Sequence, residues 1–298
     1  MSGETHIRKV RADEIDEVWR VHVASSSDGA VRRGGSARPA DEPVPSDARV
    51  ALTSDPDGYF CAVEEGRIRG MVSALVRGPV WYLSMFFVLP GDQGRGVGRA
   101  LLQHALAYGD ARGVEVRCVL SSLDHRAQAR YVMAGMAPRW PIYGLSGDAA
   151  AVARLEARVG RDRQPCELGH DLHAAEQLMT EAYGDSRAHD LSHWQNDRAA
   201  TVAIERKGEL AAFAFRRGQR IGPAAARDET SLLQAVTAAV VCAAGSSTRV
   251  TMRVPGACAS MLEALITSGF QISNMTVFLS SRPYGRPELY LPSGPILY

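Results

Sequence analysis

Apolar positions along the chain fall into a series of elements that occurs twice. Tyr59 to Leu75 alternates as two strands around a tight turn at Glu65 and Gly66, and Thr201 to Phe215 reads the same way around Lys207 and Gly208. The first hairpin is followed by an apolar strand ending in Phe86, Phe87 and Val88. Next come a helix over Arg99 to Arg112 stopped by Gly113, an alternating strand over Val114 to Leu120, and a helix that Asp124 can cap. The second hairpin is followed by a short strand at Arg220 to Ala226, a helix from Glu229 to Ala244, a strand at Arg249 to Val254 and another helix. The last helix of each series ends at a glycine, Gly135 before Met136 and Gly269 before Phe270, where a left-handed residue stops a helix readily. Two copies of one α/β fold are predicted.

The boundary between them follows from local composition. Pro141 to Leu145 reads as the last strand of the first copy, Gly147 to Gly160 as an amphipathic connector, and Arg161 to Pro165 as a loop. The expected division is therefore a first domain over 1–146, a linker over 147–164 and a second domain over 165–298. A chain of 298 residues also exceeds one ordinary domain. Ser25 to Asp47, rich in Gly, Ser, Pro and Arg, reads as a long loop, and a tail from Arg282 to Tyr298 matches no repeated element.

The densest chemical signal lies between the apolar strand and the helix after it, in Gln93-Gly94-Arg95-Gly96-Val97-Gly98-Arg99. Glycines at 94, 96 and 98 let the backbone take left-handed torsions and come close to a ligand while successive N–H groups converge at a helix start. That helix start already carries unpaired donors and partial positive charge. Arg95 and Arg99 add full charges suited to phosphate oxygens. A polyanion is the expected guest. The dinucleotide fingerprint fails because Arg99 stands where its third glycine belongs, and the nucleotide P-loop fails because no Gly-Lys-Ser/Thr follows.

A strand ending Val-x-Pro, then Gln-x-x-Gly-x-Gly and Arg-x-Leu-Leu, resembles the coenzyme site of the GNAT superfamily of acetyl-CoA-dependent N-acetyltransferases. The helix carrying Asp124, Ala127, Tyr131 and Gly135-Met136 is similar to a second family pattern, with Asp in place of Asn and Met in place of Phe. The resemblance implies two tandem domains, each a mixed, mostly antiparallel sheet flanked by helices. It implies that the main chain of Phe86, Phe87 and Val88 meets the pantetheine arm and that Gln93 to Arg99, with Asp124 nearby, hold the coenzyme. It further implies that Tyr131 protonates the departing sulfur.

The general base is not visible, since Trp81 to Phe86 contains no carboxylate; a water held by Ser84, Ser121 or a main-chain carbonyl, or else His125, could relay the proton. The implied reaction moves an acetyl group from acetyl-CoA to a primary amine of a small-molecule acceptor. A non-catalytic acyl-CoA sensor, or an enzyme for protein amines or longer acyl groups, remains the alternative. The second copy has Ala226-Arg227-Asp228-Glu229-Thr230 at the glycine turn's place and Leu265 at that of Tyr131, so it resembles the coenzyme-free half of tandem GNAT proteins.

Composition bears on the partners. A net charge of +1, with lysine only at positions 9 and 207, gives no electrostatic case for nucleic acid or a membrane surface. No apolar run approaches the roughly 18 residues that a bilayer span needs, and Met1 to Arg11 is too polar for a signal peptide, so a cytoplasmic protein is expected. The five cysteines form no C-x-x-C pair and are expected to be buried hydrophobes. His170 with His173 and His189 with His193 lack the glutamate of a zinc motif, so no metal is expected. A monomer or weak homodimer is the expected assembly.

Overall fold

The computed structural model of the chain describes residues 5–160, 165–168, 172–197, 200–244 and 249–298. Residues 161–164 of the expected linker, His170, and the first four residues lie outside the described residues. The chain divides into two compact units, Met1–Arg117 with Pro295–Leu297, and Cys118–Gly294 with Tyr298.

In the first unit, strands β1 (His6–Lys9), β2 (Tyr59–Glu64), β3 (Arg67–Arg77) and β4 (Val80–Val88) form an antiparallel sheet in that order. The β2–β3 turn has both central residues at positive φ, Glu65 at 52° and Gly66 at 72°, the twist that suits a two-residue hairpin. Helix α1 (Ile15–Arg32) packs on β3 and β4, a short helix α2 (Ser46–Ser54) follows, and α3 (Val97–Ala111) packs on β2, β3 and β4. Val97, Leu101, Ala105 and Tyr108 put one apolar face of α3 on the sheet. There the Trp81 indole donates to the Ala105 carbonyl at 2.9 Å, and Gly109 admits the ring, since a Cβ would come within 2.7 Å of it.

The expected loop from Ser25 to Asp47 is shorter than its composition suggests, because α1 continues to Arg32. The Ser26 hydroxyl bonds back to the Val23 carbonyl, and Asp28 pairs with Arg32 one turn later, so these polar residues ride on the helix instead of ending it. Residues 33–45 make the remaining connection.

Strand β5 (Val116–Ser121) leads into the second unit, whose remaining elements are α4 (His125–Met133), β6 (Ala137–Asp148), α5 (Ala149–Val159), β7 (Pro165–Cys166), α6 (His173–Tyr183), α7 (Ala188–Asn196), β8 (Ala200–Arg206), β9 (Glu209–Arg217), β10 (Arg220–Ala226), α8 (Glu229–Ala244), β11 (Arg249–Pro255), α9 (Ala259–Thr267), β12 (Gln271–Ser280) and β13 (Tyr290–Leu291). Its sheet runs β5-β12-β6-β11-β10-β9-β8-β7, with β13 added on β10. The β10–β11 pair is parallel and the other pairs described for this sheet are antiparallel. Leu232, Ala235, Val236, Ala239, Val240 and Ala243 bury α8 in the core together with α5, β8, β9 and β10. The fold is thus α/β with a mixed, mostly antiparallel sheet, as the resemblance implies.

One feature of the pairing separates sequence repeat from packing unit. Strand β12, the last of the second copy, pairs with β5 from Val277↔Ser121 to Ser280↔Cys118, while β6, the last strand of the first copy, pairs with β11 from Arg249↔Asp148 to Pro255↔Ile142. Each copy's penultimate strand therefore carries the other copy's final strand, and β6 and β12 lie side by side.

Candidate active site

Strand β4 ends at Val88, a 3-10 turn covers Pro90–Asp92, and the glycine segment then delivers the chain into α3. Gly94 and Gly96 stand at φ 86° and 89°, a conformation costly for any residue with a Cβ, and no atom lies within 4 Å of where a Cβ would sit on either. Gly96 is the N-cap of α3, and no side-chain hydrogen bond caps the helix among the described residues. The turn is open, its torsions favour glycine, and the helix start carries a partial positive charge. Val97 and Gly98 are buried at the first turn, which fixes the helix end against the sheet. The Gln93 side chain donates to the Val88 carbonyl at 3.1 Å, tying the loop back to the strand.

The two arginines of the turn differ. Arg95 donates to Glu64 at 2.8 Å and to Asp92 at 2.7 Å, and Arg69 lies 3.5 Å from the same Glu64. Its hydrogen bond to Glu64 raises the Arg95 pKa and lowers that of the carboxyl. Arg99 is exposed and its side chain makes no hydrogen bond or ion pair among the described residues. Sequence reasoning missed the carboxylates that hold Arg95; Asp92, at i−3 beside a turn, is a local signal that was legible.

On β4, Ser73 pairs with Met85 and Ala74 with Leu83, so Ser84 is the extra residue of a β-bulge. Its hydroxyl donates to the Ile296 carbonyl at 2.7 Å, and the Tyr82 hydroxyl donates to the Pro295 carbonyl at 2.5 Å. Phe86, Phe87 and Val88 follow the bulge, opposite Val72, Met71 and Gly70 of β3.

Asp124 and Tyr131 come together on α4, in the second unit. The Asp124 carboxylate caps the helix by accepting from Arg126 N at 2.9 Å and Ala127 N at 3.3 Å. Burial opposes its ionisation, but those two N–H groups and the Arg126 charge outweigh burial and hold the carboxyl below its usual range. Tyr131 is buried, and burial pushes its phenol pKa up, with the Asp124 charge adding to the shift, so the phenol keeps its proton. Ser121 donates to the Ser122 carbonyl at 2.7 Å, and His125 is exposed at the first position of α4.

In the second copy the same junction is filled. Asp228 accepts from Ser231 N at 2.8 Å and from the Ser231 hydroxyl at 2.9 Å at the start of α8, and Arg227 is turned to the Leu210 carbonyl and Glu209. Leu265 is fully buried in the core of the second unit. All five cysteines are free; Cys61, Cys118 and Cys258 are buried as expected, whereas Cys166, on the short β7, and Cys242, on α8, are exposed. Among the described residues no helix is long and apolar enough to cross a membrane.

Residues 31–136 match the model of the acetyltransferase (GNAT) family. Among solved structures, the chain is similar over 99% of its length to 96% of a proposed acetyltransferase from Pyrococcus horikoshii, with a TM-score of 0.77 and 14% identity. It is also similar over 94% of its length to 99% of a tandem GNAT protein from the clavulanic acid biosynthesis pathway, with a TM-score of 0.60 and 18% identity. A comparison with curated protein sequences gave no match.

Proposed function

We propose, from the match of residues 31–136 to the GNAT acetyltransferase family model and the likeness of the fold to tandem GNAT structures, that the chain moves an acetyl group from acetyl-CoA to a primary amine of a small-molecule acceptor. The observation that carries this reading is the uncapped start of α3 behind two glycines at positive φ. It offers main-chain donors and a helix end to a pyrophosphate, with Arg99 as an uncommitted cation beside them. Arg95, held by Glu64 and Asp92, shapes the turn in this reading.

Main-chain groups of Phe86, Phe87 and Val88 would take the pantetheine arm as an added strand, with Asp124 fixing the start of α4. Holding thioester and amine together supplies much of the rate, since orientation removes several kcal/mol from a bimolecular barrier. The amine nitrogen then bonds to the thioester carbon, the carbon–sulfur bond breaks, the thiolate takes the proton of Tyr131, and the proton shed by the nitrogen returns to the phenolate through water. The protonated phenol that burial enforces is the state a proton donor requires. In domain terms we read 1–146 as the catalytic copy, 147–164 as linker and 165–298 as a copy without a coenzyme turn, acting in the cytoplasm as a monomer or weak homodimer. Thiol release from acetyl-CoA across a panel of amines tests the reading: release should require an amine, and acetyl-CoA binding with no release for any amine would leave a sensor instead.

A further inference from the structure

Helix α1 and the connection after it build a second polar cluster against β4. Trp19 and His22, three residues apart on one helix face, have ring centroids 4.3 Å apart, and His22 meets the Phe87 ring edge-on, also at 4.3 Å. Arg38 reaches them from the 33–45 connection. Its main-chain N–H donates to the Ser27 hydroxyl at 2.9 Å, and its guanidinium lies 5.7 Å from the Trp19 ring centre. Glu42 holds one side of that guanidinium, through Nε at 2.7 Å and through Nη2, and Nη1 on the other side meets His22 Nε2 at 2.7 Å.

Arginine only donates, so His22 Nε2 must accept and the ring proton sits on Nδ1. Burial, reinforced by the Arg38 charge, lowers the His22 pKa to about 4 and keeps the ring neutral. Both His22 Nδ1 and Trp19 Nε1 are buried without a hydrogen-bond partner among the described residues, and Trp19 is 4% exposed. An unsatisfied buried donor costs roughly 1–3 kcal/mol, so two on adjacent rings mark a place where something accepts. The unpaired groups are donors only. An ammonium cannot satisfy them; oxygen lone pairs can, and a carboxylate brings two oxygens and bonds of about twice the neutral strength.

We propose that Trp19 and His22, oriented by Arg38 and Glu42, form a subsite for a carboxylate on the acceptor, so that the acceptor class is amino acids and other carboxylated amines. The assignment rests on the acyl-transfer reading for the word acceptor, but not for the carboxylate. Two measurements on the full chain test it. In the first, a panel of α-amino acids and their decarboxylated counterparts is titrated while the Trp19 indole N–H and His22 Nδ1–H are followed by nuclear magnetic resonance. At least one amino acid should shift both protons and its decarboxylated partner should not. In the second, thiol release should show a KM at least about tenfold lower for that amino acid than for its partner, and Trp19→Phe, which keeps the ring and removes the donor, should raise the first KM and leave the second and that for acetyl-CoA unchanged. Shifts without thiol release would keep the subsite and sink the transfer reading. No shift with any amino acid, meaning that only water occupies the site, or equal KM values within every pair, would overturn the proposal; if Trp19→Phe fails to fold, the wild-type titration decides alone.

Discussion

The two strand-to-helix junctions of this chain start from the same local plan and treat the helix end in opposite ways. At α3 the N-cap is Gly96 at φ 89°, no side chain caps the helix among the described residues, and Arg99 is exposed at the first turn. At α8 the chain supplies its own anion, because Asp228 takes the Ser231 N–H and hydroxyl, and Arg227 is drawn off to Glu209. The same contrast recurs one helix later, where α4 buries Tyr131 and α9 buries Leu265. A carboxylate in the helix mouth takes up N–H groups that an external anion would otherwise meet, and it does so without altering the elements around it. This contrast is what the proposed function rests on when it places the chemistry in the first copy.

Substitutions that erase the difference should have graded effects. Gly96→Glu places a Cβ at a positive φ and a carboxylate in the turn, imitating the second copy, and should weaken acetyl-CoA binding by about 100-fold or more while leaving the fold intact. Calorimetry with the variant checks this, and retained affinity would detach the turn from the coenzyme. Tyr131→Phe keeps the ring in its buried place and removes the proton; turnover should fall roughly 100-fold or more with coenzyme affinity little changed. Wild-type turnover when the chemical step limits the rate would remove the phenol from the mechanism. Arg99→Ala should weaken coenzyme binding by about three- to tenfold, an effect that shrinks as salt rises because the side chain is exposed. Asp228→Ala has the smallest expected effect. It should lower unfolding stability by about 1 kcal/mol through loss of a helix cap, and should create no second coenzyme site.

Much of this contrast is legible in the residues themselves. The hairpin turns at Glu65-Gly66 and Lys207-Gly208, the glycine nest and the stops at Gly135 and Gly269 are short-range features, set by torsions that few residues tolerate. The exchange of β6 and β12 is not local. Both strands follow equivalent helices, and each meets a penultimate strand of the same kind, so alternation specifies that a strand pairs there but not which copy provides it. The end of α1 was obscured by composition, since Ser25 to Arg32 looks like loop yet is held helical by side-chain bonds to its own backbone and by an i,i+4 pair. The Arg38 cluster escaped for a related reason: it joins residues 16 positions apart through a connection whose path no periodicity encodes.

The most direct test of the central claim is the number of acetyl-CoA molecules bound per chain. Isothermal titration of the full chain should give one site, and Gly96→Glu should weaken it by about 100-fold or more while Asp228→Ala leaves both stoichiometry and affinity as they are. Two equivalent sites per chain, or one site that survives Gly96→Glu, would contradict the account.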